Sequence, residues 1–360
     1  MRILTGTLPS GGAAPAPRAV GWWLLLCAAM VLAMMLIGAV TRLTDSGLSI
    51  MEWKPLAGAL PPLTDAEWQR VFALYKTIPQ YALRNQGMAL EEFKGIFWWE
   101  WIHRQWGRAI GVAFLVPFLW FLWRRAVSGA FAWKCGIAFL LGGLQGAMGW
   151  WMVASGFSQR TEVSQYRLAA HLALAFVILF WLLWLALDVL ARRRAESGPA
   201  KARPERGGGA GWALLALLGV TIMSGAFVAG TDAGLIYDTY PLMGGAFVPG
   251  DYRDPALSFW LNAFENRSAI QFHHRWLAAA TVLAVLAYAY GGLVGGTAAA
   301  RLPLALSAVV SLAQLGLGIA TLLSNVDLPT AVAHQGGAAI LFACVAWSIH
   351  AQHRPQLGAP

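Results

Sequence analysis

The sequence predicts an all-α integral membrane protein in which eight transmembrane helices form two four-helix bundles, related to each other as parallel repeats. Three observations support this fold class. Hydrophobic residues make up 58% of the chain and charged residues only 12%, which is typical of a membrane protein. Eight apolar runs are long enough to cross a bilayer. A pattern of polar residues in the first four runs recurs in the last four.

The apolar runs are judged by their length, because crossing about 30 Å of hydrocarbon at about 1.5 Å per residue takes about 20 residues. They are expected to be helices, since lipid offers no hydrogen-bonding partner to a free backbone group. The predicted spans are 20–41, 97–123, 133–154, 168–190, 211–230, 270–293, 303–323 and 330–349.

The internal repeat consists of short motifs that return in the same order. The clearest is TDSGL at 44–48, which becomes TDAGL at 231–235. Because four crossings bring the chain back to its starting side, the two repeats must be parallel, related by an axis along the membrane normal. The other matched positions are His103 with His274, Gln145 with Gln314, and His171 with His334.

The repeat also predicts how the chain is divided. An Arg-rich and then Gly-rich stretch between the fourth and fifth runs is typical of a connecting segment. The predicted units are a tail at 1–19, an amino-terminal bundle at 20–190, a linker at 191–210, a carboxy-terminal bundle at 211–349 and a second tail at 350–360.

The basic residues predict the orientation of the chain in the membrane. The formal net charge of +9 comes largely from Arg and Lys in 1–18, 124–134 and 192–206, whereas the long segments 45–95 and 231–268 carry offsetting acids. By the positive-inside rule, both termini are cytoplasmic and the two long segments lie outside. The basic segments are interpreted as topology signals that contact lipid headgroups, and not as a nucleic-acid surface.

The amino terminus favours a bacterial inner (plasma) membrane. The apolar run after residue 18 is too long for the core of a signal peptide, which predicts an uncleaved first helix. The segment before it is short and rich in Gly, Pro and Ala, unlike a mitochondrial transit peptide.

The repeated histidines are the strongest functional signal in the sequence, because intramembrane ionisable residues usually mark a site. His103 and His171 are predicted at similar depth on facing helices of the first bundle, as are His274 and His334 in the second. Two imidazoles placed in this way suit a bis-His heme, whose flat apolar ring fills a bundle while its iron takes both axial positions.

The histidines have two other interpretations, a zinc site and a structural role. A zinc site would require a third or fourth nitrogen, sulfur or oxygen ligand in each half, and the sequence offers none. A single buried histidine is more often a hydrogen-bonded structural residue, but four residues in two matched pairs favour heme.

Three arginines follow the histidines near the outer end of their helices. Arg104, Arg108 and Arg275 could pair with heme propionates, which the fixed fork of Arg suits well. They could equally snorkel to the interface or pair with a loop carboxylate.

The remaining histidines and the cysteines carry less information. His273 is predicted to point away from the ligand face, and His350 and His353 are predicted to lie in the tail. The three cysteines fall within apolar runs, where they are expected to be buried small hydrophobic residues.

The two halves differ in one charged residue beside a histidine. Glu100 lies three residues before His103 and so shares its helix face, whereas the corresponding residue before His274 is Gln271. A carboxylate can relay a proton and an amide cannot. The contrast predicts an active amino-terminal site and a carboxy-terminal site that only holds a cofactor, unless Glu100 is simply an interfacial carboxylate paired with Arg104.

Several of these motifs together resemble the heme A synthase family. The resemblance covers nearly the whole chain and includes all four histidines in order. It rests on FKGIFWWEWIHR at 93–104, GR at 107–108, TRLTDSGLSI at 41–50, YDTYPLM at 237–243 and QFHHR at 271–275.

This resemblance implies an enzyme that oxidises the C8 methyl group of heme O to the formyl group of heme A, the cofactor of terminal cytochrome oxidases. It implies heme b between His274 and His334, the substrate heme between His103 and His171, and a catalytic Glu100. It also implies heme O synthase and cytochrome oxidase assembly factors as partners.

The chain departs from one branch of the family, in which outer loops carry pairs of cysteines, since neither long segment here contains Cys. It resembles instead the branch found in alphaproteobacteria and mitochondria. A thiol-based electron input is therefore not supported, and the electron donor stays unidentified.

Two other function classes remain open at the level of sequence. A diheme b-type electron-transfer protein would be expected to place its hemes near opposite membrane faces, whereas both predicted sites here lie near the outer face. A parallel-repeat transporter would call for broken helices at the midplane, for which the Gly-rich seventh run is weak support.

Overall fold

The computed structural model describes residues 16–54, 57–158, 160–195, 200–201, 208–353 and 356–357. Within these residues, eight helices are long and apolar enough to cross a membrane, which confirms the predicted all-α membrane fold and the number of spans. Most of the predicted tail at 1–19, half of the Arg- and Gly-rich linker at 191–210 and part of the terminal tail lie outside the described residues.

Eleven helices follow one another along the described chain. The spanning helices are the first, the fourth to the seventh, and the ninth to the eleventh. In chain order the helices are α1 (Arg18–Leu43), α2 (Asp65–Tyr75), α3 (Pro79–Leu83), α4 (Leu90–Trp123), α5 (Gly129–Val153), α6 (Gln165–Ala195), α7 (Gly208–Gly230), α8 (Phe259–Glu265), α9 (Arg267–Gly295), α10 (Arg301–Leu323) and α11 (Leu328–Gln352).

We call the end of the bundle that carries 44–89 and 231–266 the loop face, and the end that carries 124–128 and 296–300 the linker face. The loop face is more ordered than the sequence suggested, because it contains the short helices α2, α3 and α8. Hydropathy misses such helices since they are amphipathic and short. Helix α2 begins with a capping box, in which Thr64 Oγ1 accepts from Glu67 N at 3.3 Å and the Glu67 carboxylate accepts from Thr64 N at 3.2 Å.

Helix α4 begins at Leu90, seven residues before the predicted span at 97. The first turn is polar, so the apolar run in the sequence did not indicate that the helix begins there. Acidic residues in a first turn are favoured by the helix dipole. The Glu92 carboxylate accepts from Ala89 N at 2.8 Å and closes the end of the helix. Helix α2 covers this extension through aromatic contacts, with ring centroids 4.9 Å apart for both Trp68–Phe97 and Phe72–Phe93.

Corresponding pairs of spanning helices are in contact in both halves. In the first half α1 packs on α4 and α6, and α5 packs on α6 and, less extensively, on α4. In the second half α7 packs on α9 and α11, and α10 packs on both of them. Contacts of α6 with α7, of α1 with α11 and of α6 with α11 join the halves. This arrangement is compatible with two four-helix bundles about a pseudo-twofold axis near α6 and α11, and the division into bundles stays a prediction.

The repeated TDSGL and TDAGL motifs have the same backbone in both halves. Asp45 and Asp232 each adopt a left-handed conformation with φ of 53°, and each precedes a three-residue 3-10 turn. Aspartate tolerates this conformation better than most residues. Each motif therefore turns the chain sharply as it leaves α1 or α7 and lays the following residues over the helix that carries a histidine.

The prediction for His350 was wrong. Helix α11 continues to Gln352, so His350 lies in its last turn and is buried, not in a tail. Its Nε2 lies 3.1 Å from Asp188 Oδ1 of α6, and its ring meets Trp184 edge-on with centroids 4.9 Å apart. A polar residue after an apolar run suggests that the helix has ended. Here the residue stays in the helix because Asp188 provides a hydrogen-bonding partner for the imidazole. Beyond α11, Gln356–Leu357 pairs antiparallel with Ala200–Lys201.

Candidate functional site

The carboxy-terminal pair of histidines faces across the second half. The rings of His274 on α9 and His334 on α11 have centroids 6.5 Å apart and planes at 87°. A metal–imidazole bond of about 2 Å on each side of one ion would place the two ring centroids about 6 Å apart. The separation of these rings therefore fits two axial ligands of a single metal ion.

A serine of the neighbouring helix α7 contacts the His274 ring. Ser224 Oγ donates its only proton to Thr221 O at 2.7 Å. Toward His274 Nδ1, which lies 2.8 Å away, Ser224 Oγ must then act as the acceptor. In this arrangement Nδ1 carries the proton of His274 and Nε2 presents a lone pair. Metal-bound histidines are typically held in this way by a partner of the other ring nitrogen.

A matched glutamine steadies the second histidine of each pair. Gln314 Nε2 donates to the carbonyl of His334 at 2.7 Å, and Gln145 Nε2 donates to that of His171 at 3.1 Å. Gln145 also lies 3.3 Å from His171 Nε2. The Nδ1 atoms of His171 and His334 are buried and have no hydrogen-bond partner. Buried ring nitrogens of this kind are unusual unless a ligand completes them.

Each of the four histidines lies against a glycine of a neighbouring helix. A Cβ at any of these glycines would lie 2.8 to 3.3 Å from the nearest ring atom, which is too close for an unmoved imidazole. The missing side chains therefore let the rings lie flat against the adjacent helix. The pairs are His103 with Gly38, His171 with Gly149, His274 with Gly225 and His334 with Gly318.

Glu100 is buried, with 2% of its surface exposed, and is held by three donors. Ser49 Oγ and the backbone N–H of Ile50 each donate to Oε2 at 2.7 Å, and Arg104 Nη2 donates to Oε1 at 2.5 Å. The pairing with Arg104 that the sequence left open is therefore present. It does not exclude a chemical role, because an ionised carboxylate can accept about four hydrogen bonds.

The arginines after the ligand histidines bind loop carbonyls in the same way in both halves. Arg104 donates to the carbonyls of Ile50 at 2.8 Å and Glu52 at 3.0 Å. Arg275 donates to those of Tyr237 at 2.8 Å and Thr239 at 2.7 Å. We call each arrangement an arginine clamp. Two of the predicted propionate contacts thus already hold the loops in place, and a propionate role for them stays a prediction.

The residue beside each arginine clamp differs between the halves, as the contrast of Glu100 with Gln271 predicted. In place of Glu100, the second half has Gln271, which is equally buried and donates to the carbonyls of Tyr237 at 2.9 Å and Gly234 at 3.3 Å. Arg108 lies further along α4 and donates to the Lys54 carbonyl at 3.1 Å. His273 Nε2 lies 2.9 Å from the Tyr252 hydroxyl and is not part of the ligand pair.

An ionic cluster near these sites was not predicted from the sequence. Arg42 on α1 reaches Glu162 at 2.5 Å, Asp232 at 3.0 Å and Asp45 at 3.3 Å, and Arg84 also pairs with Glu162. Burial raises the pKa of the Glu162 carboxyl despite the nearby arginines. Because Asp232 follows α7 whereas the other members belong to the first half, the cluster ties the two halves together at the loop face.

The donor set argues against a metal bound by side chains alone. Among the residues that the structure describes, no group of three or more His, Cys, Asp or Glu side chains could hold a metal ion. Two histidines on opposite sides suit instead an iron whose remaining ligands come from a porphyrin. The residues present therefore fit heme in the second half, and the matched glycine and glutamine contacts extend that fit to the first.

Comparison with known proteins gives a consistent result. The family model COX15-CtaA, described as cytochrome oxidase assembly protein, matches residues 21–346. A protein of Rhodospirillum centenum named heme A synthase is 53% identical over 345 residues, covering 95% of this chain and 91% of that protein. Heme A synthase of Parvibaculum lavamentivorans is 48% identical over 335 residues, covering 92% and 94%. That of Maricaulis maris is 48% identical over 325 residues, covering 90% and 93%.

Proposed function

This chain belongs to the COX15-CtaA family and to its heme A synthases, and we propose that its amino-terminal half oxidises the C8 methyl group of heme O to the formyl group of heme A. The observation that carries the assignment to this half is a difference in charge between two sites that share a common plan. Both halves have a histidine pair, supporting glycines and an arginine clamp, but only the first has a buried carboxylate.

The carboxy-terminal half holds heme b in this proposal. The separation of the His274 and His334 rings, 6.5 Å, and the contact of Ser224 Oγ with His274 Nδ1 at 2.8 Å support it. Gln271 can hydrogen-bond but cannot exchange a proton at neutral pH, so this half is suited to electron transfer and not to oxidation of a carbon atom.

The amino-terminal half receives the substrate heme between His103 and His171. Glu100 lies one helical turn before His103 and retains about one free acceptor position after its three donors are counted. It is suited to accept a proton released as the methyl group is oxidised. Conversion of the methyl group to the formyl group removes four electrons and adds one oxygen atom, so it requires an external oxidant and an oxygen donor, water or O2. The hemes, when bound, would pass on the electrons, while the chain would orient the hemes and accept a proton at Glu100.

The pigments of the purified protein test this function. We expect an acid–acetone extract, resolved by chromatography, to contain heme B together with heme O, heme A or both. Heme B alone at both sites, in cells that supply heme O, would favour the alternative of a diheme b-type electron-transfer protein.

The membrane and the orientation are part of the proposal. The arginines and lysines of 124–134 and 192–206 support a bacterial inner membrane with both termini cytoplasmic, so the hemes lie toward the outer, loop face. Heme O synthase and cytochrome oxidase assembly factors are the proposed partners, with an electron donor not yet identified.

The orientation predicts the behaviour of fused reporters. An alkaline phosphatase fused within 192–206 should be inactive and one fused within 251–257 active, because that enzyme requires export to fold. The opposite pattern would overturn the orientation and place both heme sites toward the cytoplasm.

A further inference from the structure

The two halves differ in the seam between their second and third spanning helices. In the second half α9 and α10 pack closely, with Leu304 of α10 seated against Gly292 of α9. In the first half α4 and α5 pack less extensively. Their ring contact, between Phe114 and Phe139 with centroids 6.2 Å apart, lies toward the linker face. The seam between α4 and α5 is therefore more loosely packed than the seam between α9 and α10.

The residues along the two seams explain this difference in packing. Three positions of α4 and α5 are glycine, whereas the equivalent positions of α9 and α10 carry larger residues. Equivalent positions are those at the same distance along the chain from the ligand histidine, or from the glutamine that contacts the second histidine. Val282 and Ser311 are buried, whereas a Cβ at any of the three glycines would meet nothing within 4 Å. The matched positions are Gly111 with Val282, Gly142 with Ser311, and Gly146 with Leu315.

The open face leads to a proposed substrate ligand. Gly142, Gly146 and Gly149 follow one another at helical spacing on α5, and Gly149 contacts the His171 ring. The Nδ1 of His171 is buried and has no hydrogen-bond partner. It lies 3.8 Å from the position that a Cβ at residue 149 would occupy. Gln145 Oε1 is also buried and has no partner there. The matched atoms of the second half, His334 Nδ1 and Gln314 Oε1, are also buried and without a partner. Both halves therefore have polar atoms that a ligand would complete, and in the first half one of them belongs to the loosely packed helix α5.

The geometry points to a lateral entrance between α4 and α5, through which heme O passes from the bilayer to the His103–His171 site. This inference rests on the proposed function and names the route of its substrate. Heme O is a flat, largely apolar macrocycle with a long isoprenoid chain, so it partitions into lipid. The surface of α5 beside the opening is apolar as well, with Phe139, Leu140 and Leu144 exposed.

An opening of this kind is compatible with a stable membrane protein. Lipid tails are as apolar as Leu, so a seam filled by lipid loses little of the driving force that would close it in water. In the second half, where α9 and α10 pack closely and Val282 and Ser311 are buried, heme b would stay resident. One half therefore exchanges its heme and the other retains it.

The test closes the entrance with side chains. In the double variant Gly142→Leu/Gly146→Leu, we expect uptake of heme O from donor vesicles into nanodisc-held protein to slow at least about tenfold, equivalent to about 1.4 kcal/mol. Heme b content and its spectrum should be unchanged. Gly316→Leu is the matched control, because Gly316 of α10 is also exposed with open space around its Cβ. It should take up heme O at the parental rate.

A labelling experiment gives a second readout. A cysteine introduced as Gly146→Cys should react with a lipid-soluble maleimide and be protected by bound heme O. A cysteine introduced as Gly316→Cys should react equally with and without heme O. The native cysteines Cys27, Cys135 and Cys344 are buried, so their background should be low.

The outcomes separate the entrance from the function. The proposed entrance would be refuted if the folded double variant took up heme O at the parental rate. It would also be refuted if heme O did not protect Gly146→Cys from labelling. Uptake of heme O that survives both His103→Ala and His171→Ala would instead overturn the proposed substrate site.

Discussion

We expect Glu100→Gln to lower the formation of heme A by about 10²–10⁴-fold, the usual effect of removing a group that transfers a proton. Heme O, or a partly oxidised derivative, should accumulate in cells that depend on the variant, while the heme b spectrum stays at the parental level. Chromatography of membrane pigments measures the first effect and difference spectroscopy the second.

The second half shows that the fold can accept this change. Gln271 occupies the position equivalent to Glu100 beside an arginine clamp of the same geometry, and Arg275 there is held by two carbonyls without a carboxylate. A glutamine at 100 can use the same contacts. The substitution should therefore remove the ionisable group without unfolding the site, although it gives up the ion pair with Arg104.

Glu92→Gln is the matched control for this experiment. Glu92 lies on the same helix and is exposed, and its carboxylate only closes the helix end at Ala89. It should make heme A at the parental rate. A parental rate in Glu100→Gln as well would make Glu100 a structural carboxylate, and the division between a catalytic and a cofactor-holding half would fall.

Replacing either His274 or His334 with Ala should remove the low-spin heme b spectrum and most of the heme B from the pigment extract. Each ring supplies one side of a pair whose centroids are 6.5 Å apart, and no third ligand group among the described residues can substitute for it. The loss should be near complete in both variants, because one axial ligand cannot hold a low-spin iron.

His273→Ala controls for the neighbourhood of this pair. His273 adjoins His274 in sequence but contacts Tyr252 instead, so its replacement should leave the spectrum unchanged. Normal heme content and an unaltered spectrum in both His274→Ala and His334→Ala would refute the assignment of heme b to the second half.

The membrane fold was predictable because its main signal is local. Each spanning helix is a long apolar run, and lipid forces such a run to satisfy its own backbone. Helix α4 extended further than predicted since its first turns are polar and are stabilised by contacts with α2 that are distant in sequence. His350 was misplaced for the same reason, because only tertiary structure reveals Asp188 beside it.

The candidate site was partly predictable from the repeat. Matching the halves identified the histidines and the contrast between Glu100 and Gln271. It did not indicate what the arginines bind, because their partners are backbone carbonyls that any residue could provide. The ionic cluster was equally hidden, since Arg42, Glu162 and Asp232 come from three separate segments and neither Arg42 nor Glu162 has a charged counterpart in the other half.

The two arginine clamps also bear on how this molecule arose. In both, the carbonyls bound by the arginine follow the glycine of the turn by three and five residues, as expected if one ancestral four-helix unit was duplicated. Such a unit would pair with a second copy as a homodimer about the axis near α6 and α11, and symmetry would make its two sites identical. Only fusion into one chain frees one site to change without the other. The presence of glutamate at position 100 and glutamine at position 271 is then a consequence of that fusion.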